Sequence, residues 1–325
     1  MTNPALSVIG LETCFRIRGR MVPAVSDVDL FVDKGEIIGL VGESGSGKSV
    51  TGLSIMGLID KPGEITKGKI LLNGEDLVSA GKERLRQIRG ARIAMIFQDP
   101  MMTLNPVLRI DTQMMEALSA HDSRIDAETA RTRCRDALGQ VGIPSPEERL
   151  KAYPHQFSGG MRQRVAIAIA LLNRPDIIIA DEPTTALDVT IQGQILSEMQ
   201  KLCRDTGAGL VWITHDLTVV AGLTTRVYVM YGGRIVELGA VDDILDRPIH
   251  PYTRGLIRSV PWHNRPGEPL YQIPGMTPAI DRMPAGCRFH PRCALATPEC
   301  RGDIPLSAFG PGRFARCVHP LVEDS

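Results

Sequence analysis

The chain has 325 residues, enough for one large domain or a domain with an appendage. Its composition is 43% hydrophobic and 23% charged, with 37 Lys and Arg against 37 Asp and Glu. A formal net charge of zero excludes bulk attraction to nucleic acid or to an acidic lipid surface.

In chain order, the opening segment and Gly68–Leu72 predict strands of a small antiparallel sheet beside the core. The segment Met1–Gly10 lacks a basic stretch followed by an apolar one, so no secretory signal is expected. Residues 36–41, Glu-Ile-Ile-Gly-Leu-Val, form a short apolar run ended by glycine, as suits a strand buried on both faces of a parallel sheet. Met101 to about Gln156 is rich in Ala, Glu, Arg and Leu without a buried-strand run, and predicts a helical insertion. The longest apolar run, Val165–Leu172, is far short of the roughly 20 residues a membrane-spanning helix needs. Ile177–Ala180 and Leu210–Thr214 predict two more buried strands, and their alternation with helical stretches implies an α/β core. Val227–Met230 and Arg234–Glu237, joined through Gly232-Gly233, predict a hairpin. Beyond about Asp246 the composition shifts to Pro, Gly, His and Arg with little periodicity, and such a segment needs a staple to fold.

Gly42-Glu43-Ser44-Gly45-Ser46-Gly47-Lys48-Ser49 fits the phosphate-loop pattern G-x-x-x-x-G-K-S/T, between a buried strand and a helical stretch. Glycines let backbone N–H groups close around phosphate oxygens, and the following helix offers its positive end. Lys48 is expected to reach the β- and γ-phosphates of ATP, and Ser49 to ligate Mg²⁺. Downstream, the strand from Ile177 ends in Asp181-Glu182; the first carboxylate suits Mg²⁺ and the second suits activation of the attacking water.

Phe157-Ser158-Gly159-Gly160-Met161-Arg162-Gln163-Arg164 resembles the signature motif of ABC (ATP-binding-cassette) ATPases, and the order of motifs matches that family. Ser158 can cap a helix whose N–H groups bind an anion. The resemblance implies that Ser158, Gly159 and Gly160 cover ATP held by a second cassette, the two facing head to tail. It also casts Gln98 as the glutamine that contacts Mg²⁺ and the attacking water, Asp188 in Ala186-Leu187-Asp188 as the D-loop, and His215 as the switch histidine on the γ-phosphate. Met161 stands where the general signature has Gln, a departure that the peptide-importer branch resembles. Phe15 is the candidate adenine-stacking residue, with 17–23 as alternative contacts and a plain core role for Phe15 the competing reading.

The whole chain resembles the ATPases of oligopeptide and dipeptide importers, carried by 95–106, 153–164, His250-Pro251-Tyr252-Thr253 and the tail from Ile273-Pro274-Gly275. The resemblance implies an ATPase cassette over 1–245, with a helical subdomain at about 100–157, and a C-terminal extension over 246–325. It implies a second, related ATPase (a heterodimer, or a homodimer), two membrane permeases and an extracytoplasmic substrate-binding protein as partners, with no nucleic acid. The chain would work peripherally on the cytoplasmic side of the cell membrane. Nickel and glutathione importers belong to the same family, so the solute stays open. A soluble ABC ATPase of DNA repair or translation is the reading from another class; such proteins carry paired cassettes, coiled-coil insertions or internal zinc modules, none visible here.

Four of seven cysteines, Cys287, Cys293, Cys300 and Cys317, crowd the tail. Their spacing is not that of short zinc knuckles or of a ferredoxin run, yet four thiolates would make a metal staple. Family members can carry a 4Fe–4S cluster here; zinc and unligated thiols remain alternatives, with His290 and His319 as reserve ligands and a structural or regulatory role expected.

Overall fold

The computed structural model describes residues 4–100, 103–184, 188–260, 267 and 269–321. In chain order the first elements are β1 (Leu6–Ile17), β2 (Arg20–Val32), β3 (Ile37–Val41), α1 (Lys48–Ile55), β4 (Gly63–Leu72), β5 (Glu75–Asp76), α2 (Lys82–Ile88) and β6 (Ile93–Ile96). Helices α3 (Ile110–Ser119), α4 (Ala127–Gln140), α5 (Pro146–Leu150) and α6 (Gly159–Leu171) follow, then β7 (Ile177–Asp181), α7 (Val189–Thr206) and β8 (Gly209–Thr214). The rest comprises α8 (Leu217–Leu223), β9 (Arg226–Tyr231), β10 (Arg234–Ala240), α9 (Val241–Asp246), α10 (Pro251–Arg258), β11 (Ser307–Ala308) and β12 (Phe314–Ala315).

Two compact units divide the chain: one takes 1–5, 32–36 and 79–211, the other 6–31, 37–78 and 212–325. In the first, β6 and β7 pair in parallel, from Ile93 opposite Ile177 to Ile96 opposite Ala180. Ile177 to Ala180 have no exposed surface, which explains a strand of consecutive apolar residues without alternation. The expected helical insertion is present as α3, α4 and α5. Asp126 caps α4 by accepting from the Thr129 N–H, and Cys134 and Leu138, one helical turn apart, lie on its buried face. Arg133 and Arg164 tie this region together by donating to the Leu172 and Gly142 carbonyls at 2.7 and 2.8 Å. Helix α7 stops at Gly207, whose φ of 73° is the left-handed conformation that ends helices.

The second unit contains the antiparallel sheet in the order β2-β1-β4-β5, with Leu6 opposite Leu72 and Phe15 opposite Gly63. It also pairs β3 with β9 in parallel, Ile38 opposite Arg226 and Val41 opposite Val229. The predicted hairpin is β9–β10, with Tyr231 opposite Arg234. Gly232 and Gly233 both take positive φ, 54° and 84°, so the turn has the twist that two-residue hairpins favour.

The region beyond 246 is more ordered than its composition suggests. Helix α10 forms, and β12 extends the hairpin by pairing with β10, Ala315 opposite Glu237. Its side chains join an apolar core of Val41, Val227, Val229, Tyr231, Tyr252, Ile257 and Phe289. Tyr231, Tyr252 and Phe289 meet edge-on or tilted at centroid distances of 4.6 to 5.3 Å. Each such pair contributes roughly 0.5–1.5 kcal/mol beyond its buried area. Aromatic packing therefore supplies part of the adhesion that the sequence assigned wholly to a staple.

The β9–β10 turn braces its surroundings: Gly233 accepts from the Ser26 N–H and donates to the Ser46 carbonyl, both at 2.8 Å. A Cβ on Gly233 would lie 2.2 Å from the Ala24 carbonyl oxygen. Gly233→Ala is expected to lower unfolding stability by roughly 2 kcal/mol or more. An unchanged midpoint in denaturant melts would show that the turn can move aside.

Candidate functional site

The phosphate loop links β3 to α1 in the second unit. Gly47 is the residue before α1 and has φ of 103°, with no side chain capping the helix and no acidic residue in its first turn. A Cβ there would come within 3.0 Å of the Met230 methyl and 3.1 Å of the Ala24 carbonyl oxygen, so glycine is required on both counts. An uncapped helix start behind a glycine loop is chemically suited to an anion. Lys48 is 5% exposed, and its ammonium donates to the carbonyls of Gly42 and Glu43 at 2.8 and 3.0 Å. Ser44, Gly45 and Ser49 are exposed, whereas Ser46 is buried.

Glu43 is held on several sides. Its N–H donates to the Tyr252 hydroxyl at 2.8 Å. Its carboxylate accepts from Thr277 at 2.8 Å and from both terminal nitrogens of Arg292 at 2.6 and 3.1 Å. Burial pushes the carboxyl pKa up, but the Arg292 and Thr277 hydrogen bonds and the Arg292 and Lys48 charges outweigh it. The net result is a carboxyl held below its ordinary value.

In the first unit, Asp181 is buried at the end of β7 and Glu182 follows it, half-buried. Glu182 has φ of 46°, a left-handed conformation that costs a non-glycine residue roughly 1–2 kcal/mol. Gln98, exposed just after β6, donates to the Glu182 carboxylate at 3.3 Å. The amide thus restricts the carboxylate at the position where the backbone is already constrained. Ser158 is the N-cap of α6, its hydroxyl accepting from the Met161 N–H at 3.3 Å, and Ser158 and Gly159 are exposed. Asp188 caps α7 through the Ile191 N–H at 3.0 Å; Ala186 and Leu187 of the same motif, like Met101 and Met102, lie outside the described residues.

His215 is exposed immediately after β8, in the second unit. Phe15 is half-buried on β1, and its ring lies over Gly63, where an added Cβ would be 2.6 Å from a ring carbon. That packing accounts for the ring as part of the sheet surface without assigning it a ligand.

Cys287, Cys293, Cys300 and Cys317 are free thiols. Burial is the largest influence on Cys287, Cys293 and Cys317, pushing the last up to about 12. Each also feels neighbouring cysteines, and Cys317 feels all three others, so the four occupy one neighbourhood. Cys300 is buried and the other three are half-buried. Among the described residues, however, no group of three or more His, Cys, Asp or Glu side chains is arranged to hold a metal ion. The reserve ligands are otherwise engaged: His290 Nδ1 lies 2.8 Å from the Cys287 carbonyl and His319 pairs with Thr297 at 2.8 Å.

The sequence reading missed His250. It is buried and its Nδ1 accepts from the Tyr252 N–H at 3.0 Å, leaving the proton on Nε2, 4.0 Å from the Cys287 sulfur. Burial lowers its pKa to about 3, which keeps the ring neutral. It missed Arg292 and Thr277 as well. His250-Pro251-Tyr252-Thr253 was singled out as a stretch, but no local pattern connects it, or Arg292, to Glu43.

Residues 25–185 match the family model described as ABC transporter, and 236–300 match the one described as oligopeptide/dipeptide transporter, C-terminal region. A putative peptide import ATP-binding protein of Brucella melitensis is 49% identical, over 97% of this chain and 97% of its own. A dipeptide transport ATP-binding protein of Escherichia coli is 48% identical over 97% of both chains. An oligopeptide transport ATP-binding protein of Salmonella typhimurium is 45% identical over 99% of this chain and 95% of its own. Among solved structures, a dimeric ATP-binding cassette bound to ADP and phosphate aligns with a TM-score of 0.67 at 27% identity, covering 73% of this chain and 98% of that one.

The Ser158 cap yields a direct test. Ser158→Ala is expected to cost roughly 0.5–1 kcal/mol in denaturant melts, while Ser158→Asp, which can still cap, is expected to retain wild-type stability. Equal losses in both would show that the hydroxyl does more than cap.

Proposed function

The chain belongs to the ABC transporter family, in its oligopeptide/dipeptide branch, and on that premise we propose that it is the ATP-hydrolysing subunit of a peptide importer. The observation that carries this reading is that one chain matches both the cassette and the C-terminal region of peptide transporters, with relatives similar along nearly their whole lengths. No helix among the described residues is long and apolar enough to cross a membrane. As in the peptide-importer branch, we pair the chain with permease subunits and place it peripherally on the cytoplasmic face beside them. A second ATPase and an extracytoplasmic binding protein complete the proposed assembly.

The proposed chemistry follows from the residue types. The loop 42–49 cradles the triphosphate, with Lys48 directed to its β- and γ-phosphates. Ser49, Gln98 and Asp181 are the groups proposed to hold Mg²⁺, which when bound supplies neutralisation of the phosphate charge. Glu182 polarises the attacking water, and the Gln98 amide fixes the carboxylate for that task. His215 is proposed to contact the γ-phosphate, and Phe15 the adenine. Ser158, Gly159 and Gly160 serve the ATP of the partner cassette, with Asp188 at the same interface.

For the tail we propose a 4Fe–4S cluster on Cys287, Cys293, Cys300 and Cys317. Four free thiols in one neighbourhood of the tail support this reading. Protein purified without oxygen is expected to be brown, with about four irons and four sulfides per chain. Stoichiometric zinc, or no metal, would overturn that assignment without touching the ATPase.

Glu182→Gln is expected to leave ATP affinity unchanged and to slow hydrolysis by at least about a hundredfold. Wild-type turnover in that variant would remove Glu182 from the chemistry. Reconstituted with its permeases and binding protein in vesicles, the chain is expected to hydrolyse ATP faster when peptides are supplied. Stimulation by nickel or glutathione alone would overturn the peptide reading and keep the ATPase.

A further inference from the structure

The C-terminal extension reaches the phosphate loop through Glu43, five residues before Lys48. Arg292, next to Cys293, is 6% exposed at its side chain, yet every bond it makes is satisfied in place. Its Nε donates to the Pro274 carbonyl at 2.9 Å, and its Nη1 reaches Thr277 at 3.1 Å and the Tyr231 hydroxyl at 3.3 Å. The guanidinium carbon stands 5.8 Å from the ring centroids of both Tyr231 and Phe289. A cation fixed this firmly cannot follow a mobile partner, so the carboxylate of Glu43 is brought to it. The pair is bidentate, with Thr277 as a third donor.

The location of that carboxylate makes the pair consequential. The Glu43 carbonyl accepts from Lys48 Nζ at 3.0 Å, so the negative side chain belongs to the residue that already touches the phosphate-binding ammonium. An uncompensated carboxylate there would draw Lys48 toward itself and repel a polyanion entering the loop.

We propose that Arg292 is a positioning residue for nucleotide binding: by neutralising and holding Glu43 from the C-terminal extension, it keeps Lys48 available to the triphosphate. This rests on the reading of 42–49 as the triphosphate site. It makes a distinctive demand, because the defect from losing Arg292 should be repaired by removing the charge it neutralises. A plain structural brace would not be repaired that way, since removing Glu43 breaks the same contact a second time.

The test uses the full-length chain purified without oxygen, titrated with a fluorescent ATP analogue and Mg²⁺, with steady-state hydrolysis measured alongside. Arg292→Gln is expected to weaken binding about tenfold and to raise KM by a like factor with kcat little changed. Arg292→Lys, which keeps the charge but not the fork, should stay within about threefold of wild type. The double variant Glu43→Gln/Arg292→Gln should recover most of the affinity. Wild-type binding by Arg292→Gln overturns the proposal, as does a double variant no better than the single one. If Arg292→Gln fails to fold, Arg292→Lys and the double variant decide the matter. Lys48→Ala is the control: if wild type and Lys48→Ala bind ATP equally poorly, the nucleotide-site reading fails. If Lys48→Ala alone loses affinity while Arg292→Gln does not, only the positioning role fails.

Discussion

A loop that wraps its backbone around phosphate oxygens has no hydrophobic core of its own, because its side chains are small and its N–H groups point inward. Its shape must come from outside, and much of the second unit is organised around supplying it. Strand β3, buried at every position, delivers the loop from one side. The Gly233 N–H holds the Ser46 carbonyl, and Gly47 sits against Met230 and Ala24. Tyr252, Thr277 and Arg292 hold Glu43 from the C-terminal extension. The β9–β10 turn and the extension are therefore parts of one frame around residues 42–49.

The first unit concentrates constraint at a single residue. Glu182 follows a strand with no exposed apolar surface, takes a left-handed backbone, and has its carboxylate engaged by Gln98. Strain of this kind persists only where the surroundings fix it, and here the fixed point is the proposed general base. Helix caps serve a similar economy. Ser158 and Asp188 each satisfy the first turn of a helix while remaining at the exposed surface.

The parts legible in the sequence are those whose physics is local. A phosphate loop needs its glycines, lysine and serine within eight consecutive positions, and a buried parallel strand such as 177–180 needs uninterrupted apolar residues. The Gly232-Gly233 hairpin was legible for the same reason, since two adjacent positive φ values require that pair. Arg292 was not legible. It lies 249 positions from Glu43, and an arginine between a proline and a cysteine has no pattern that names a distant carboxylate. His250 was hidden likewise, since the half-buried Cys287 sulfur beside it is brought near by folding rather than by spacing. The order of the tail was underestimated because its adhesion comes from three aromatic rings and a strand of two residues, too sparse to register as periodicity.

The bracing of the loop from beyond residue 246 bears on how this cassette can be handled. The solved cassette dimer that it resembles aligns with 73% of the chain, which invites treating the remainder as a detachable accessory. The contacts at Glu43 argue otherwise. A fragment cut at the composition boundary would keep every nucleotide motif and lose Tyr252, Thr277 and Arg292 together. In this chain the tail is part of the frame that holds Glu43.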